Sequence, residues 1–180
     1  LGTVRIGVVA SLGYDNSWST RLATQQEGVV NLDGLSVQED LASNSTQNDI
    51  VINALTQVAL ELDRHTFKWT NLYVRNVSKE TRSVQGDSAR ASNFIRDDTT
   101  AWYQRELIDT QLAGEHELTD ELKVSWRGAY ARTERDVPYE RSIRYRRVND
   151  EFLHNPQLDA NFIRFSELED KASSAGVDFA

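Results

Sequence analysis

Apolar and polar residues alternate along several stretches of this chain, and the period is two. In LKVSWRGAYA, Leu122, Val124, Trp126, Gly128 and Tyr130 fall into one set and Lys123, Ser125, Arg127, Ala129 and Ala131 into the other. Successive side chains of an extended strand point to opposite faces, so the pattern predicts a strand with one apolar side. TVRIGVVASLGY repeats it, with Val4, Ile6, Val8, Ala10, Leu12 and Tyr14 sharing a face. NDIVINALTQVALEL sets Ile50, Ile52, Ala54, Thr56, Val58, Leu60 and Leu62 against Asn53, Gln57 and Glu61. RELIDTQLAGEHEL sets Ile108, Thr110, Leu112, Gly114 and Leu118 against Arg105, Asp109, Gln111, Glu115 and Glu117. HTFKWTNLYVRNV begins with Phe67 and Trp69 and then changes face at Leu72 and Val74, which predicts a bulge. ASSAGVDFA places Ala175, Val177 and Phe179 opposite Ser174 and Asp178. Helical spacing is sustained nowhere.

The connections alternate in kind. Tight turns are predicted around Asp63, Arg64 and His65 and at Thr119-Asp120-Glu121, and long polar loops over 22–47, 80–98 and 136–161. The long loops all fall at one end. The expected fold is therefore all-β: an up-and-down antiparallel meander of about six long strands, the pattern of an outer-membrane barrel wall. A soluble sandwich also alternates. Three features favour the barrel. Charges such as Arg105, Asp109, Glu115 and Arg127 sit well inside the strands; the strands are long for a soluble domain; and aromatic residues gather near strand ends. Phe67, Trp69 and Trp126 lie near the short turns and Trp18, Trp102 and Tyr103 toward the long-loop side, as expected of rings that favour a membrane–water boundary.

Composition narrows the chemistry. The 180 residues carry a net charge of −8 with no basic block in the first two thirds, which argues against nucleic acid as a partner. There is no Cys, so thiol nucleophiles and thiolate metal sites are excluded, and His65, His116 and His154 lack ligand spacing. No cofactor is expected. No apolar run is long enough for a spanning helix. A chain that opens on Leu1 and contains no Met reads as an internal piece of a longer polypeptide.

The run TAWYQRELIDTQLAGEHELTDELKVSWRGAYARTERDVPYERSIRYRR resembles the barrel region of TonB-dependent receptors of Gram-negative outer membranes, above all at Gly114-Glu115-His116 and Arg135-Asp136-Val137-Pro138. HTFKWTNLYVRNVSKETRSVQG is similar to an earlier hairpin of such barrels and FSELEDKASSAGVDFA to the strand that follows. The resemblance implies that residues 1–180 form a partial barrel domain, one sector of a 22-stranded wall, without the plug domain and its TonB-contacting box. It implies a cell outer-membrane location and lipid and lipopolysaccharide as surroundings. Plug and TonB would be partners through sequence not present here. The activity implied is active import of a scarce small molecule such as a ferric siderophore, with no bond made or broken and hence no enzyme.

Two groups of residues follow from this reading. Arg105, Asp109, Gln111, Glu115, Lys123 and Arg127 are candidates for a lumen face, where they would contact a plug or line a path; the plainer alternative is cross-strand pairing, with Glu115 near Lys123 or Arg127. In the third loop, Arg135, Tyr139, Arg141, Arg144, Tyr145 and Arg146 are candidates for binding an anionic, aromatic ligand, since guanidinium forks and aromatic faces suit one. Neutralisation by Glu134, Asp136, Glu140, Asp150 and Glu151, or capture of lipopolysaccharide phosphates, would also explain that loop. Replacing Arg144 and Arg146 is expected to weaken uptake and to leave assembly intact. Two rivals stay open: a soluble β-sandwich binding module of the carbohydrate type, and a passive porin.

Overall fold

The computed structural model describes residues 3–156 and 161–180. Seven strands make up the described fold: β1 Val4–Asn31, β2 Gly34–Leu62, β3 His65–Ser88, β4 Asn93–Glu117, β5 Lys123–Val148, β6 Glu151–His154 and β7 Phe162–Phe179. They form one sheet in the order β1-β2-β3-β4-β5-β6, and β7 pairs with β5 over most of its length. Every pairing is antiparallel. The expected meander is therefore present, with β6 as a short additional strand on the upper end of β5.

The long loops are not. Strands β1 and β2 run for 28 and 29 residues and meet at a turn of Leu32 and Asp33, so nearly all of 22–47 is paired hairpin. Residues 80–98 are likewise strand, apart from a turn at 89–92. Strand β5 continues to Val148 and turns through Asn149 and Asp150, both with positive φ, as a tight hairpin turn requires. Of the predicted third loop, 157–160 lies outside the described residues. The physical reason for the error is that a hairpin wetted on both faces needs no alternation. Sequences such as LATQQEG and DLASNSTQ pair through their backbones, and the period of two that marks a half-buried strand is lost.

Register assigns the faces. Ile6, Leu60, Phe67, Gly114, Trp126 and Val177 stand in one row across the sheet, and Val8, Val58, Trp69, Leu112, Gly128 and Ala175 in the next. This is the apolar face. The polar face carries rows such as Asp15, Val51, Asn76, Arg105, Arg135 and Leu168. The predicted bulge at Leu72 and Val74 is absent: β3 is in unbroken register from His65 to Ser88. Leu72 and Val74 lie instead on the polar face, Leu72 opposite Leu55 and Val74 opposite Leu107, as an apolar island. The main irregularity falls on β5, where Trp102 pairs with Tyr139 but Gln104 pairs with Asp136. Pro138 sits in the gap, and a residue without an N–H cannot continue the ladder. Beyond it, odd-numbered residues of β5 face the apolar side.

The sheet has no core of its own. Among the described residues the only buried hydrophobic side chains are Leu41, Ile95, Ala101 and Val137. Large apolar side chains on the apolar face are open: Ile6 is 69% exposed, Leu12 79% and Leu112 50%. The accessible surface is 12692 Å² for 20.5 kDa, against about 8,800 Å² for a compact monomer of that mass. The excess is what a single uncovered sheet leaves exposed. Val124, Trp126, Ile108 and Leu112 are not sealed beneath a second sheet or a helix among the described residues.

Candidate functional site

The six residues proposed as a ligand-binding loop all lie on β5, and the strand's alternation divides them. Arg135, Arg144 and Arg146 stand on the polar face, opposite Arg105, Asp97 and Ile95. Tyr139, Arg141 and Tyr145 stand on the apolar face, opposite Trp102, Thr100 and Arg96. They do not converge on one pocket, and their placement in a loop is corrected by the structure.

On the apolar side, at the top of the sheet, the aromatic rings are already occupied by cations. The Arg96 guanidinium carbon is 4.7 Å from the centroid of Tyr145 and 4.6 Å from that of Phe152, and Arg147 lies 5.3 Å from Phe94. Phe94 and Phe152 are themselves 6.1 Å apart. Such contacts are worth about 0.5–1 kcal/mol each at exposed sites, and together they hold the short strand β6 against β4 and β5. Further down, Lys79 sits 4.5 Å over Trp102 and Arg141 6.0 Å from Tyr139.

On the polar side Arg144 is committed. Its Nε and one terminal nitrogen donate to the two carboxylate oxygens of Asp97 at 2.7 and 2.6 Å, and both side chains are three-quarters buried. The bond to Asp97 holds the Arg144 guanidinium above its usual range, against the opposing effect of burial. Forked geometry of this kind joins β4 to β5 in the upper part of the sheet, so replacing Arg144 would remove a cross-strand pair as well as a candidate ligand contact. Sequence reasoning missed Asp97 because it placed that residue in a loop, where no cross-strand partner could be assigned. Arg146 is exposed; Tyr103, eight residues along β4 from the partner of Arg146, has its phenol pushed up by burial and by Glu140.

The six proposed lumen residues, Arg105, Asp109, Gln111, Glu115, Lys123 and Arg127, do share one face, the polar one. Most are paired there. Lys123 Nζ is 3.1 Å from Glu115 Oε2, Arg127 donates to Asp178 at 3.0 Å, and Gln111 Nε2 donates to Asp109 at 2.8 Å. The cross-strand alternative thus has concrete geometry for Glu115 and Lys123. Arg105 is different: its partner across the ladder is Arg135.

Near the short turns a linked set went unrecognised in the sequence. Trp126 lies across Gly114, where a Cβ would come within 2.5 Å of the indole, and this lets Trp126 Nε1 donate to His116 Nε2 at 2.9 Å. An indole nitrogen can only donate, so a neutral His116 carries its proton on Nδ1, which lies 3.0 Å from His65 Nδ1 and donates to it. His65 and His116 are 51 residues apart, and only the β3–β4 register brings them together. Among the described residues no three His, Cys, Asp or Glu side chains are grouped to hold a metal ion. The chain matches no protein-family model and no curated protein, and what its geometry establishes is an antiparallel all-β meander in one open sheet.

Proposed function

We propose that this chain is a sector of the wall of a transmembrane β-barrel, and that the protein it belongs to is an outer-membrane importer of the TonB-dependent receptor type. The observation that carries the reading is the apolar face: six strands wide, continuous through at least two full rows, and covered by nothing in the described fold. Uncovered apolar patches on soluble monomers rarely exceed a few hundred Å². Hydrocarbon is the medium that would make so large a surface stable.

The outline of that face supports lipid more specifically. Tyr14, Ile52, Arg75, Glu106, Glu134 and Glu169 stand in one row. On β1 the apolar run reaches this row at Tyr14, whereas on β7 it stops at Ala175, six residues short of Glu169. Between β1 and β7 the upper edge therefore falls six residues over five strand steps, after a rise on β2 to Ile50, two residues above the row. A bilayer surface crossing strands tilted by about 40° and spaced about 4.8 Å apart descends about 4 Å, or roughly 1.2 residues, per strand. The short turns descend in the same sense. Leu62, His65, His116 and Val124 share a row; the β2–β3 turn follows at once, while the β4–β5 turn lies beyond the further pairs Glu117–Lys123 and Leu118–Leu122.

In this reading the polar face looks into an aqueous lumen, and the paired upper ends of the strands stand above the membrane as stiff ribbons rather than loose loops. About 9–11 residues of each strand suffice to cross, so more than half of β1 and β2 projects. The resemblance at 100–147 supplies the importer class, and with it TonB and a plug as partners. Uptake of radiolabelled ferric catecholate and ferric hydroxamate complexes by cells expressing the full-length protein tests this. Uptake of one of them that stops when the proton gradient is dissipated is expected. Uptake that survives dissipation would mark a passive porin, and no uptake of either would remove the siderophore reading.

A further inference from the structure

The polar face holds one pairing that its own residues do not explain. Arg105 on β4 and Arg135 on β5 are directly opposite each other in the ladder, both exposed, and among the described residues neither makes an ion pair or a side-chain hydrogen bond. Like charges placed opposite each other in a sheet are destabilising. Three other cations on this face have carboxylate partners, Lys123 with Glu115, Arg127 with Asp178 and Arg144 with Asp97. Arg21, Lys68 and Arg146 have none among the described residues, but none of those three stands opposite another cation. The carboxylates nearest in sequence cannot help, because Glu106 and Glu134 project from the opposite side of the sheet, where they meet Tyr73 and Arg132. On the polar face itself Asp170 stands opposite Thr133, two residues along from Leu168, the β7 partner of Arg135, and Glu140, which like Arg135 acts on Tyr103, is engaged by Tyr103 and Arg164. Among the described residues neither carboxylate makes an ion pair with Arg135.

The surroundings are mixed, with Asn76 the other ladder neighbour of Arg105 and Thr133 two residues along from Arg135, but an apolar patch borders the pair. Below the two arginines lie Leu107 and Val74, beside them Leu168, and above Arg135 the fully packed Val137, only 2% exposed. The guanidiniums themselves stay open to solvent and so are accessible to an anion placed between them. Two adjacent forks over an apolar floor match a planar oxyanion attached to an apolar body.

From this juxtaposition we infer that Arg105 and Arg135 form a two-arginine site that takes a carboxylate, presented either by a free ligand or by another segment of the same polypeptide. The inference rests on the β4–β5 register and stands whether the apolar face meets lipid or not. Its failure is therefore distinguishable from failure of the barrel reading.

Citrate is the probe, titrated at low ionic strength into the full-length protein and followed by calorimetry, alongside thermal unfolding of the same samples. If the site takes a free ligand, citrate binds, Arg105→Gln and Arg135→Gln each weaken it about tenfold, the double variant abolishes it, and Arg21→Gln, at an exposed cation of the same face on β1, leaves it unchanged. If a carboxylate of the same polypeptide already fills the site, citrate does not bind and the double variant unfolds several degrees lower than the parent. Either result supports the site. Absence of citrate binding together with a double variant as stable as the parent, or more stable, would overturn it. So would an Asp170→Asn variant that loses as much stability as Arg135→Gln, because the carboxylate would then be the sheet's own.

Discussion

Gly86 shows how a single residue sets the upper sheet. Its φ is +155°, and a Cβ there would come within 1.9 Å of the Asp40 carbonyl oxygen on β2. The row through it reads Leu41, Gly86, Ile95, so the two aliphatic side chains flank the bare glycine, and both are among the few buried hydrophobics of the fold. Gly86→Ala should destabilise the upper hairpins by about 1–3 kcal/mol, through backbone strain and separation of β2 from β3. Urea unfolding would measure it, and an unchanged midpoint would show that the backbone there adapts freely. The same scale explains why the arginine-rich segment does not act as a unit. Arg144 is locked to Asp97, Arg135 faces Arg105, and Arg141 lies near a tyrosine ring on the other side of the sheet.

Whole elements were legible wherever one face differed from the other. The alternation at Val4–Tyr14, Ile50–Leu62, Ile108–Leu118 and Val124–Tyr130 gave the correct faces, because an apolar surface repeats every second residue in a strand. The two short turns were legible too, at Asp63-Arg64 and Thr119-Glu121. The upper halves were not, since polar residues on both sides carry no period. Leu72 and Val74 were misread for a related reason: an apolar island on the polar face imitates a change of register, and only the pairing with Leu55 and Leu107 tells the two apart. At the candidate site, Pro138 shifts the phase of β5, so faces counted from Leu122 are inverted from Tyr139 onward. If the upper segments are paired hairpins, backbone amides of 24–30 and 36–45 should exchange with deuterium much more slowly than those of an open loop. Mass spectrometry after brief labelling measures this directly. Complete exchange of both segments within seconds would return them to the status of loops.

At the scale of the molecule, the described sheet leaves its apolar face uncovered. A single sheet with apolar rows on one side and ion pairs on the other has no interior, and its edge strands β1 and β7 each leave a row of backbone groups unpaired within the described fold. In lipid such edges must be closed by further strands, so the proposed barrel and the open edges are one statement. The descending upper boundary ties the two faces to a tilt, which a sandwich half has no reason to reproduce. In the proposed barrel the charges that interrupt the apolar side, Arg75, Glu106, Arg132 and Glu169, would lie along the level where headgroups begin.

The 180 residues contain no Cys, so no native thiol of this sheet competes with an introduced label. Single cysteines placed at Val58 and Leu112 on the apolar face and at Gln57 and Gln111 on the polar face would be spin-labelled in the full-length protein in bilayers. Collisions with oxygen, which concentrates in lipid, would then be compared with collisions with a water-soluble nickel chelate. The account predicts oxygen-dominated labels at 58 and 112 and nickel-dominated labels at 57 and 111. Nickel-dominated labels at all four positions would contradict it.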